Sequence, residues 1–344
     1  MNILIEGYLD RNFGDDVMIR IVACQLSDCK FFIKERKKEM LLPFAGDSNI
    51  YDWDDNQDIK IDLVLRIIGS GFMITSKSGM YYCVLNILSK LKLKKKGLPM
   101  AVIGCNVGPF SGGFAKWLTG VEMRLYDLFT VRESFSYNFI SKRVRKKPVY
   151  CFPDIVFSLP DEWLPPNTGE GCLGISSYRM QCCSNLSYYT KIAEIADEYI
   201  EKQGKKVLLF AFDVEGENDL AAAYTIKSMC RSKDMVEIIP HDDDGSNIIN
   251  NMARCSFFVP IRLHSCIMSI KMGIPFTPII YSKKTDLILD DLGYGQDRFY
   301  ISNFETKDVI KALSGSKVFE VGGEVFENAK KHSETIKREF VKGK

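Results

Sequence analysis

The sequence predicts an α/β fold with two doubly wound parallel-sheet domains that face a cleft. Its 344 residues are roughly twice the usual domain length of about 150. Short apolar runs alternate with helix-like segments in both halves, a pattern typical of parallel sheets. Between the halves, the segment 157–170 is rich in proline, which prevents a continuous helix or strand. We therefore expect an N-terminal domain over 1–160, a C-terminal domain over 171–320 and a helix over 321–344 that docks on the body.

The predicted strands follow one another in order along each half. In the first half they lie at 2–6, 29–33, 61–68, 100–106 and 127–131. In the second half they are CLGISS, VLLFAF, MVEII, CSFFVP and PFTPII, separated by helices such as 187–203 and 217–229. Ligands of such sheets bind beyond the carboxyl ends of the strands, so the residues just after each strand are the first candidates for a site.

Composition excludes several classes of protein. With 46% hydrophobic and 26% charged residues, the chain is neither disordered nor of a membrane-spanning class. Lys and Arg number 46 against 44 Asp and Glu, a balance that argues against nucleic acid as a partner. The N-terminus lacks the pattern of a signal peptide, so we expect a cytoplasmic protein.

The eleven cysteines predict neither a disulfide framework nor a metal site. Their number is odd, no C-x-x-C spacing occurs, and most follow apolar residues. We interpret them as reduced core residues. The adjacent Cys182 and Cys183 receive the same interpretation, because no histidine or further cysteine stands at ligand spacing from them.

The first predicted strand runs into a glycine-containing turn, Gly7 to Asp16, and then into the helix VMIRIVACQL. This turn lacks G-x-G-x-x-G, and two carboxylates at the helix start would repel phosphate, so a dinucleotide loop is excluded. Asp15 is either a simple N-cap or a group that binds or deprotonates a hydroxyl of an acceptor.

Two more glycine turns and one arginine follow predicted strands of the first half. Gly69 and Gly71 follow one strand, and Gly104 and Gly108 follow another. Such glycines allow a ligand to approach the backbone, although tight packing alone also requires them. Arg132 stands at a strand end and is either a ligand contact or part of a surface ion pair.

The most informative cluster lies in the second half, where Arg262, Leu263 and His264 stand between a strand and a helix. A guanidinium, an imidazole and free backbone amides at a helix start suit a phosphate together with a carboxylate. His264 can also transfer a proton near neutral pH, or it is a satisfied core residue. Arg179 and Lys283 follow neighbouring strands and either reach an anion in the cleft or are loop charges.

The other two histidines look less informative. We interpret His241 as part of a solvated turn before a helix at 246, and His332 as a residue of the polar terminal helix.

These motifs, in this order, resemble the polysaccharide pyruvyltransferase family over nearly the whole chain. Its N-terminal G-x-x-G-N-x-G-D-[DE] turn is matched by Asn12, Gly14, Asp15 and Asp16, and its R-L-H motif is matched without change at Arg262 to His264. The paired glycine turn is altered to Gly69-Ser70-Gly71. Further matches are Gly108-Pro109, Val131-Arg132-Glu133 with Ser136, Pro153-Asp154, Gly273-Ile274-Pro275 and Tyr281 to Lys284.

The resemblance implies a fold like the glycosyltransferase B type. It also implies transfer of pyruvate from phosphoenolpyruvate to two hydroxyls of a sugar, as a cyclic ketal, with release of phosphate and without a cofactor or metal. On this basis the catalytic residues are His264 as acid and Asp15 as the group that assists the attacking hydroxyl. The expected phosphoenolpyruvate contacts are Arg262, Leu263, His264, Arg179, Arg132 and Lys283. The expected acceptor contacts are Asn12, Gly14, Asp15, Asp16, Gly71 and Gly108.

Two other functions stay open. A nucleotide-sugar glycosyltransferase of the same architecture would bind a diphosphate near Arg262 and His264. A non-catalytic scaffold of polysaccharide assembly would bind sugar polymers without turnover.

Two basic segments favour an acceptor carried on a lipid at the inner face of the membrane. Residues 80–97 combine apolar side chains at helical spacing with Lys90, Lys92 and Lys94 to Lys96, which suits an anionic leaflet. Residues 142–147 add a second cluster. The alternative is a helix that covers the sheet and has a solvated end.

Overall fold

A computed structural model describes residues 1–34, 38–180 and 186–341 and divides the chain into two compact units. Unit one comprises Met1–Leu9, Met18–Ser158 and Gly323–Lys344. Unit two comprises Asp10–Val17 and Leu159–Gly322. Segment 10–17 thus groups with the second half of the chain, and the terminal helix groups with unit one.

Unit one is built on a parallel sheet whose strand order is β3-β2-β1-β4-β6-β7-β8, with β5 paired to β6. Its strands in the described part of the chain are β1 (Asn2–Glu6), β2 (Lys30–Ile33), β3 (Ile50–Asp52), β4 (Leu63–Ile67), β5 (Ser70–Gly71), β6 (Met100–Val107), β7 (Leu128–Val131) and β8 (Val149–Cys151). Every residue of β6 is buried, as expected of a central parallel strand that is covered on both faces. The longer predicted strands are confirmed, whereas the short strands β3, β5 and β8 were not predicted.

Unit two has a smaller parallel sheet in the order β11-β10-β9-β12. Its strands are β9 (Cys172–Ser176), β10 (Val207–Ala211), β11 (Val236–Pro240), β12 (Cys255–Val259), and the separate pair β13 (Ile279–Ile280) and β14 (Phe299–Tyr300). The predicted strand PFTPII is reduced to its last two residues. Pro275 and Pro278 lack the N–H that a ladder needs, which accounts for the shorter strand.

The helices lie between the strands, as predicted. They are α1 (Phe13–Gln25), α2 (Lys77–Lys95), α3 (Gly113–Met123), α4 (Ser134–Val144), α5 (Leu186–Gln203), α6 (Asp219–Met229), α7 (Ser246–Met252), α8 (Leu263–Lys271), α9 (Lys283–Asp291), α10 (Thr306–Gly315) and α11 (Gly323–Ile336). No helix among the described residues is long and apolar enough to cross a membrane.

Helix α11 returns the end of the chain to unit one. His332 on this helix is fully buried, where its Nδ1 pairs with the Thr130 hydroxyl at 2.5 Å and its Nε2 with the Pro153 carbonyl at 2.8 Å. Burial lowers the pKa of His332 to about 4. His332 is therefore a neutral core residue that fastens α11 to the sheet.

The cysteines are largely core residues, as predicted, but not all of them are. Cys24 and Cys151 are exposed, whereas the other seven free cysteines of the described chain are buried. The prediction is wrong for these two, which stand near the end of α1 and at the end of β8. Cys182 and Cys183 lie outside the described residues.

Candidate functional site

The segment Asp10–Val17 is held on unit two by backbone and side-chain hydrogen bonds. Asn12 forms an antiparallel bridge with Asp213, and the Phe13 N–H donates to the Phe212 carbonyl at 2.8 Å. The Asn12 amide also donates to the Asp213 carboxylate at 3.1 Å. Since Asp213 lies two positions after the end of β10, the segment reaches the carboxyl edge of the unit-two sheet, where ligands of such sheets bind.

Asn12, not Asp15, caps helix α1. Its Oδ1 accepts from the N–H groups of Gly14 at 3.1 Å and Asp15 at 3.4 Å. The helix begins at Phe13, four residues earlier than predicted, so Asp15 lies within the first turn. The interpretation of Asp15 as a simple N-cap is therefore wrong. The role of Asn12 as an acceptor contact is also weakened, because both ends of its amide are engaged within the fold.

Asp16 forms a buried pair with His241. The His241 Nε2 lies 2.9 Å from the Asp16 Oδ2, and the two residues are 2% and 1% exposed. Burial raises the pKa of Asp16, while His241 opposes the shift. Two interpretations are corrected here: Asp16 is too buried to contact an acceptor, and His241 is a core residue rather than part of a solvated turn.

Arg262 immediately precedes helix α8, and its side chain is held by two carboxylates. Its backbone N–H donates to the Ser176 hydroxyl at 3.1 Å. The guanidinium donates to Asp219 from Nε at 2.9 Å and from Nη2 at 2.5 Å, and it donates to Glu217 from Nη1. An incoming anion must therefore compete with carboxylates for this arginine.

Aromatic rings complete the surroundings of Arg262. Its guanidinium carbon lies 4.7 Å from the centre of the Tyr178 ring and 5.8 Å from that of Tyr281. The two rings stack at 4.1 Å. Asp219 is fully buried below them, and burial raises its pKa to about 6 although Arg262 opposes the shift.

His264 stands on the first turn of α8, directly against Gly14. A methyl group built on Gly14 would overlap the imidazole ring of His264. The glycine of the N-terminal turn is thus required by a close approach of this ring. Leu263, in contrast, is buried in the core, so its side chain is not presented to a ligand.

The two further cations expected in unit two are both exposed. The backbone N–H of Arg179 donates to Asp219 Oδ1 at 3.3 Å, so this residue shares a carboxylate with Arg262. Lys283 is the first residue of α9, two positions after Tyr281. Both are therefore close in the chain to residues around Arg262.

Arg132 does not belong with these cations. In unit one its side chain is buried and donates to Asn106 Oδ1 at 2.5 Å, to the Gly69 carbonyl at 2.6 Å and to Asp154. A guanidinium used in this way joins β6 to the segments that follow β4 and β8, and it is not presented to a ligand. The prediction of a phosphoenolpyruvate contact is corrected, and so is the alternative of a surface ion pair.

The remaining glycines expected at the acceptor are explained in part by packing. Gly108 has a φ of +83° and the Phe110 ring covers it, 3.1 Å from the position of a Cβ atom. Gly71 lies in β5 and lines a cavity of about 150 Å³ in unit one. Gly71 is therefore next to a space that a ligand can enter.

The basic segments are partly used by the fold itself. Lys90 is buried and forms an ion pair with Glu6, so it is not part of a basic surface as expected. Lys94 pairs with Asp127 at 2.6 Å, and Lys147 donates to the Arg124 carbonyl at 2.7 Å. The exposed cations that lie outside these contacts are Lys92, Lys95, Lys96, Lys142, Arg145 and Lys146.

Sequence reasoning missed the acidic half of the unit-two site. Asp213, Glu217 and Asp219 all follow β10, and the position after a strand was the available signal. In the described ranges, no three His, Cys, Asp or Glu side chains lie close enough together to hold a metal ion.

Comparison with known proteins gives a family and a fold. A family model described as polysaccharide pyruvyl transferase matches residues 2–283. No curated protein matches the sequence significantly. Among solved structures, UDP-GlcNAc 2-epimerase from Methanocaldococcus jannaschii has a TM-score of 0.65 at 10% identity, with 100% of both chains covered.

Two further structures are similar over nearly their whole length. A putative UDP-N-acetylglucosamine 2-epimerase from Listeria monocytogenes has a TM-score of 0.64 at 11% identity, covering 100% of this chain and 97% of that one. Anabaena Alr3699/HepE in complex with UDP-glucose has a TM-score of 0.56 at 9% identity, covering 98% and 95%. Such low identities establish the fold alone. The three structures confirm that the fold is of the predicted α/β class, similar to the glycosyltransferase B type.

Proposed function

Because the chain belongs to the polysaccharide pyruvyl transferase family, we propose that it transfers pyruvate from phosphoenolpyruvate to two hydroxyls of a sugar as a cyclic ketal. The observation that carries this proposal is the Arg262-Leu263-His264 motif at the start of α8, with Gly14 of the N-terminal turn against the His264 ring. In this proposal His264 is the proton donor, and Asp15, the residue after Gly14, is the group that accepts a proton.

The donor binds at the start of α8. The helix has no acidic residue in its first turn, and its N-terminus favours an anion. Arg262 attracts the donor but is shared with Glu217, whose side chain is 41% exposed and can leave the guanidinium. Arg179 and Lys283 supply further positive charge from exposed positions. The phosphate and carboxylate of phosphoenolpyruvate then take the place of Glu217 on Arg262.

The reaction begins with a proton transfer. His264 protonates the methylene carbon of phosphoenolpyruvate, which becomes a methyl group and leaves the adjacent carbon electrophilic. The first sugar hydroxyl attacks that carbon and gives its proton to Asp15. The C–O bond to phosphate breaks, the second hydroxyl attacks the same carbon, and its proton leaves with the phosphate. The proton on Asp15 returns to His264 through solvent, so the cycle is balanced.

We also propose that the acceptor is carried on a lipid and that the protein meets an anionic membrane through α2. The side chains of Tyr81, Val84, Leu85, Leu88 and Leu91 are all exposed, and their spacing puts them on one face of the helix. Lys92 and Lys95 continue that face by one turn. Apolar side chains followed by lysines suit the boundary between acyl chains and anionic headgroups at the inner face of the membrane.

The test is ligand binding by the purified protein. Phosphoenolpyruvate should raise the melting temperature, because a ligand of the native state stabilises it. The nucleotides UDP, GDP and CDP should not. His264→Gln should keep that shift and lose ketal formation, measured as phosphate release with a sugar acceptor. Stabilisation by a nucleotide alone would favour the glycosyltransferase, and binding without turnover by any donor would favour the scaffold.

A further inference from the structure

Unit one contains a small polar cavity between helices α2 and α3 and the loop after β5. Its volume is about 150 Å³, well below the roughly 300 Å³ at which drug-sized sites begin. It is lined by Arg66, Gly71, Tyr82, Asn86, Thr119 and Glu122 among others. The loop reaches the cavity after the end of β4, and Arg66 lines it from within β4.

The charged groups of the cavity compensate one another. Arg66 donates to Glu122 at 3.0 Å and to the Tyr126 hydroxyl at 3.2 Å. Glu122 also accepts from the Cys83 thiol at 3.3 Å, and burial raises the pKa of that thiol to about 12, which keeps it a donor. A site with one cation and one anion in contact favours a neutral ligand with many hydroxyls over phosphoenolpyruvate.

Two features of the lining indicate a ligand rather than simple packing. Thr119 is fully buried, and within the described chain its hydroxyl has no hydrogen-bond partner, which is costly unless another group fills the cavity. Phe72, at the floor of the loop, has a φ of +52°, a conformation that non-glycine residues adopt rarely and that is enriched at functional sites.

The Tyr82 side chain forms the entrance. It is 61% exposed and still lines the cavity, so one face of its ring is available. An aromatic ring beside hydroxyl, amide and carboxylate groups matches a sugar ring, which has an apolar C–H face and a polar edge. We propose that this cavity binds one monosaccharide unit of the acceptor. That this sugar is the acceptor rests on the proposed function; that a sugar binds here does not.

A tyrosine of equal exposure outside the cavity provides a matched control. Tyr224, in helix α6 of unit two, is 61% exposed and does not line the cavity. Binding of the p-nitrophenyl β-glycosides of galactose, glucose and N-acetylglucosamine would be measured by saturation-transfer NMR and titration, without donor or membrane. Tyr82→Ala and Thr119→Val should weaken binding of the preferred glycoside at least tenfold. Tyr224→Ala should change it less than twofold, and Tyr82→Phe should retain it.

The outcomes separate this inference from the proposed function. Equal effects of Tyr224→Ala and Tyr82→Ala, or no binding of any of the three glycosides to the unaltered protein, would overturn the sugar site. If the expected pattern appears but no ketal forms from phosphoenolpyruvate, the sugar site stands and the proposed function fails. If ketal forms while Tyr82→Ala and Thr119→Val leave the acceptor KM unchanged, the function stands and the site is wrong.

Discussion

Arg262 is held by two carboxylates that differ in exposure. Asp219 is fully buried and makes two hydrogen bonds to the guanidinium, whereas Glu217 makes one and is partly open to solvent. Removing Asp219 would leave a buried arginine without its main partner, which is strongly destabilising. Removing the charge of Glu217 would not destabilise the fold in this way, because its side chain is partly open to solvent. We therefore expect Asp219 to hold the arginine in position and Glu217 to compete with the donor.

Glu217→Gln should bind phosphoenolpyruvate about three- to fivefold more tightly, because a partly exposed ion pair contributes up to ~1 kcal/mol. Glu215→Gln is the matched control, since Glu215 is similarly exposed but pairs with Arg11 at 3.9 Å. Isothermal titration of both variants would check this. Weaker binding by Glu217→Gln would mean that Glu217 helps to bind the donor instead of competing with it.

The raised pKa of Asp219, about 6, predicts a pH dependence of donor binding. As the pH falls through 6, this carboxyl group takes up a proton while Arg262 keeps its charge, so the arginine attracts phosphoenolpyruvate more strongly. Between pH 7.5 and 5.5 the affinity of the unaltered protein should therefore rise relative to that of Asp219→Asn. Protonation of the ligand itself affects both proteins alike. Parallel pH profiles would contradict the assignment.

The same shift has a defined sign for stability. The folded pKa of Asp219 lies above the ordinary value of 3.8, so the folded state binds more protons than the unfolded state. The contribution of Asp219 is fully present below pH 3.8 and is lost as the pH rises through 6. His332 acts in the opposite direction, because its folded pKa of about 4 lies below its ordinary value of 6.5. Its contribution is present above pH 6.5 and is lost as the pH falls toward 4.

At the scale of elements, the first turn of α1 contacts two histidines of unit two, His264 and His241. Asn12 starts the helix, Gly14 lies against His264, and Asp16 anchors the turn on His241. The backbone path through this turn therefore sets where the His264 ring can lie. A change of one methyl group at Gly14 should act on the position of the acid without touching its chemistry.

Gly14→Ala should lower kcat about 100-fold, the cost expected when a catalytic group is displaced by about 1 Å. The control is Gly46→Ala, because an added methyl group there meets nothing within 4 Å. Initial rates of phosphate release, together with melting temperatures, would separate loss of activity from loss of folding. Full activity of Gly14→Ala would show that the imidazole can move aside freely and that its position is not set by this turn.

The sequence predicted elements better than contacts. Strands such as β6 are apolar runs between turn residues, so the local sequence is enough to predict that they are buried. Arg132 forms a buried ion pair with Asp154, which is distant in the chain, and no local pattern of the sequence indicates that pairing. The prediction that His241 belongs to a solvated turn is wrong for the same reason, since its partner Asp16 lies 225 positions earlier. The site motif at Arg262 to His264 was found because it follows a strand, whereas the carboxylates that hold Arg262 were not.

At the scale of the whole molecule, the exposed apolar face of α2 is an unusual surface. Large contiguous patches of exposed apolar side chains usually mark sites of interaction with a protein, a membrane or a ligand. The face carries no acidic residue between Lys77 and Lys95, and its lysines lie at the C-terminal end of the helix. These features together predict attraction to an anionic bilayer with a salt-dependent component.

The double variant Leu85→Ser with Leu88→Ser should reduce binding to vesicles of phosphatidylglycerol and phosphatidylcholine at least fivefold. Leu186→Ser is the control, since Leu186 is 70% exposed but lies in unit two. Co-sedimentation with vesicles would measure the bound fraction. Equal binding of both variants and the unaltered protein would exclude α2 as the membrane contact. Binding that does not depend on the phosphatidylglycerol content would exclude an electrostatic contribution from the lysines.

The chain crosses between the units four times, and this path has a consequence for synthesis on the ribosome. Unit two receives an early segment, Asp10–Val17, and can be completed as soon as Gly322 has emerged. Unit one contains residues made before Asp10, yet it lacks α11 and the buried His332 until Gly323–Ile336 has emerged. The order of completion is therefore the reverse of the usual order, in which N-terminal domains finish first. A nascent chain halted before α11 should hold a finished second unit and an unfinished first one.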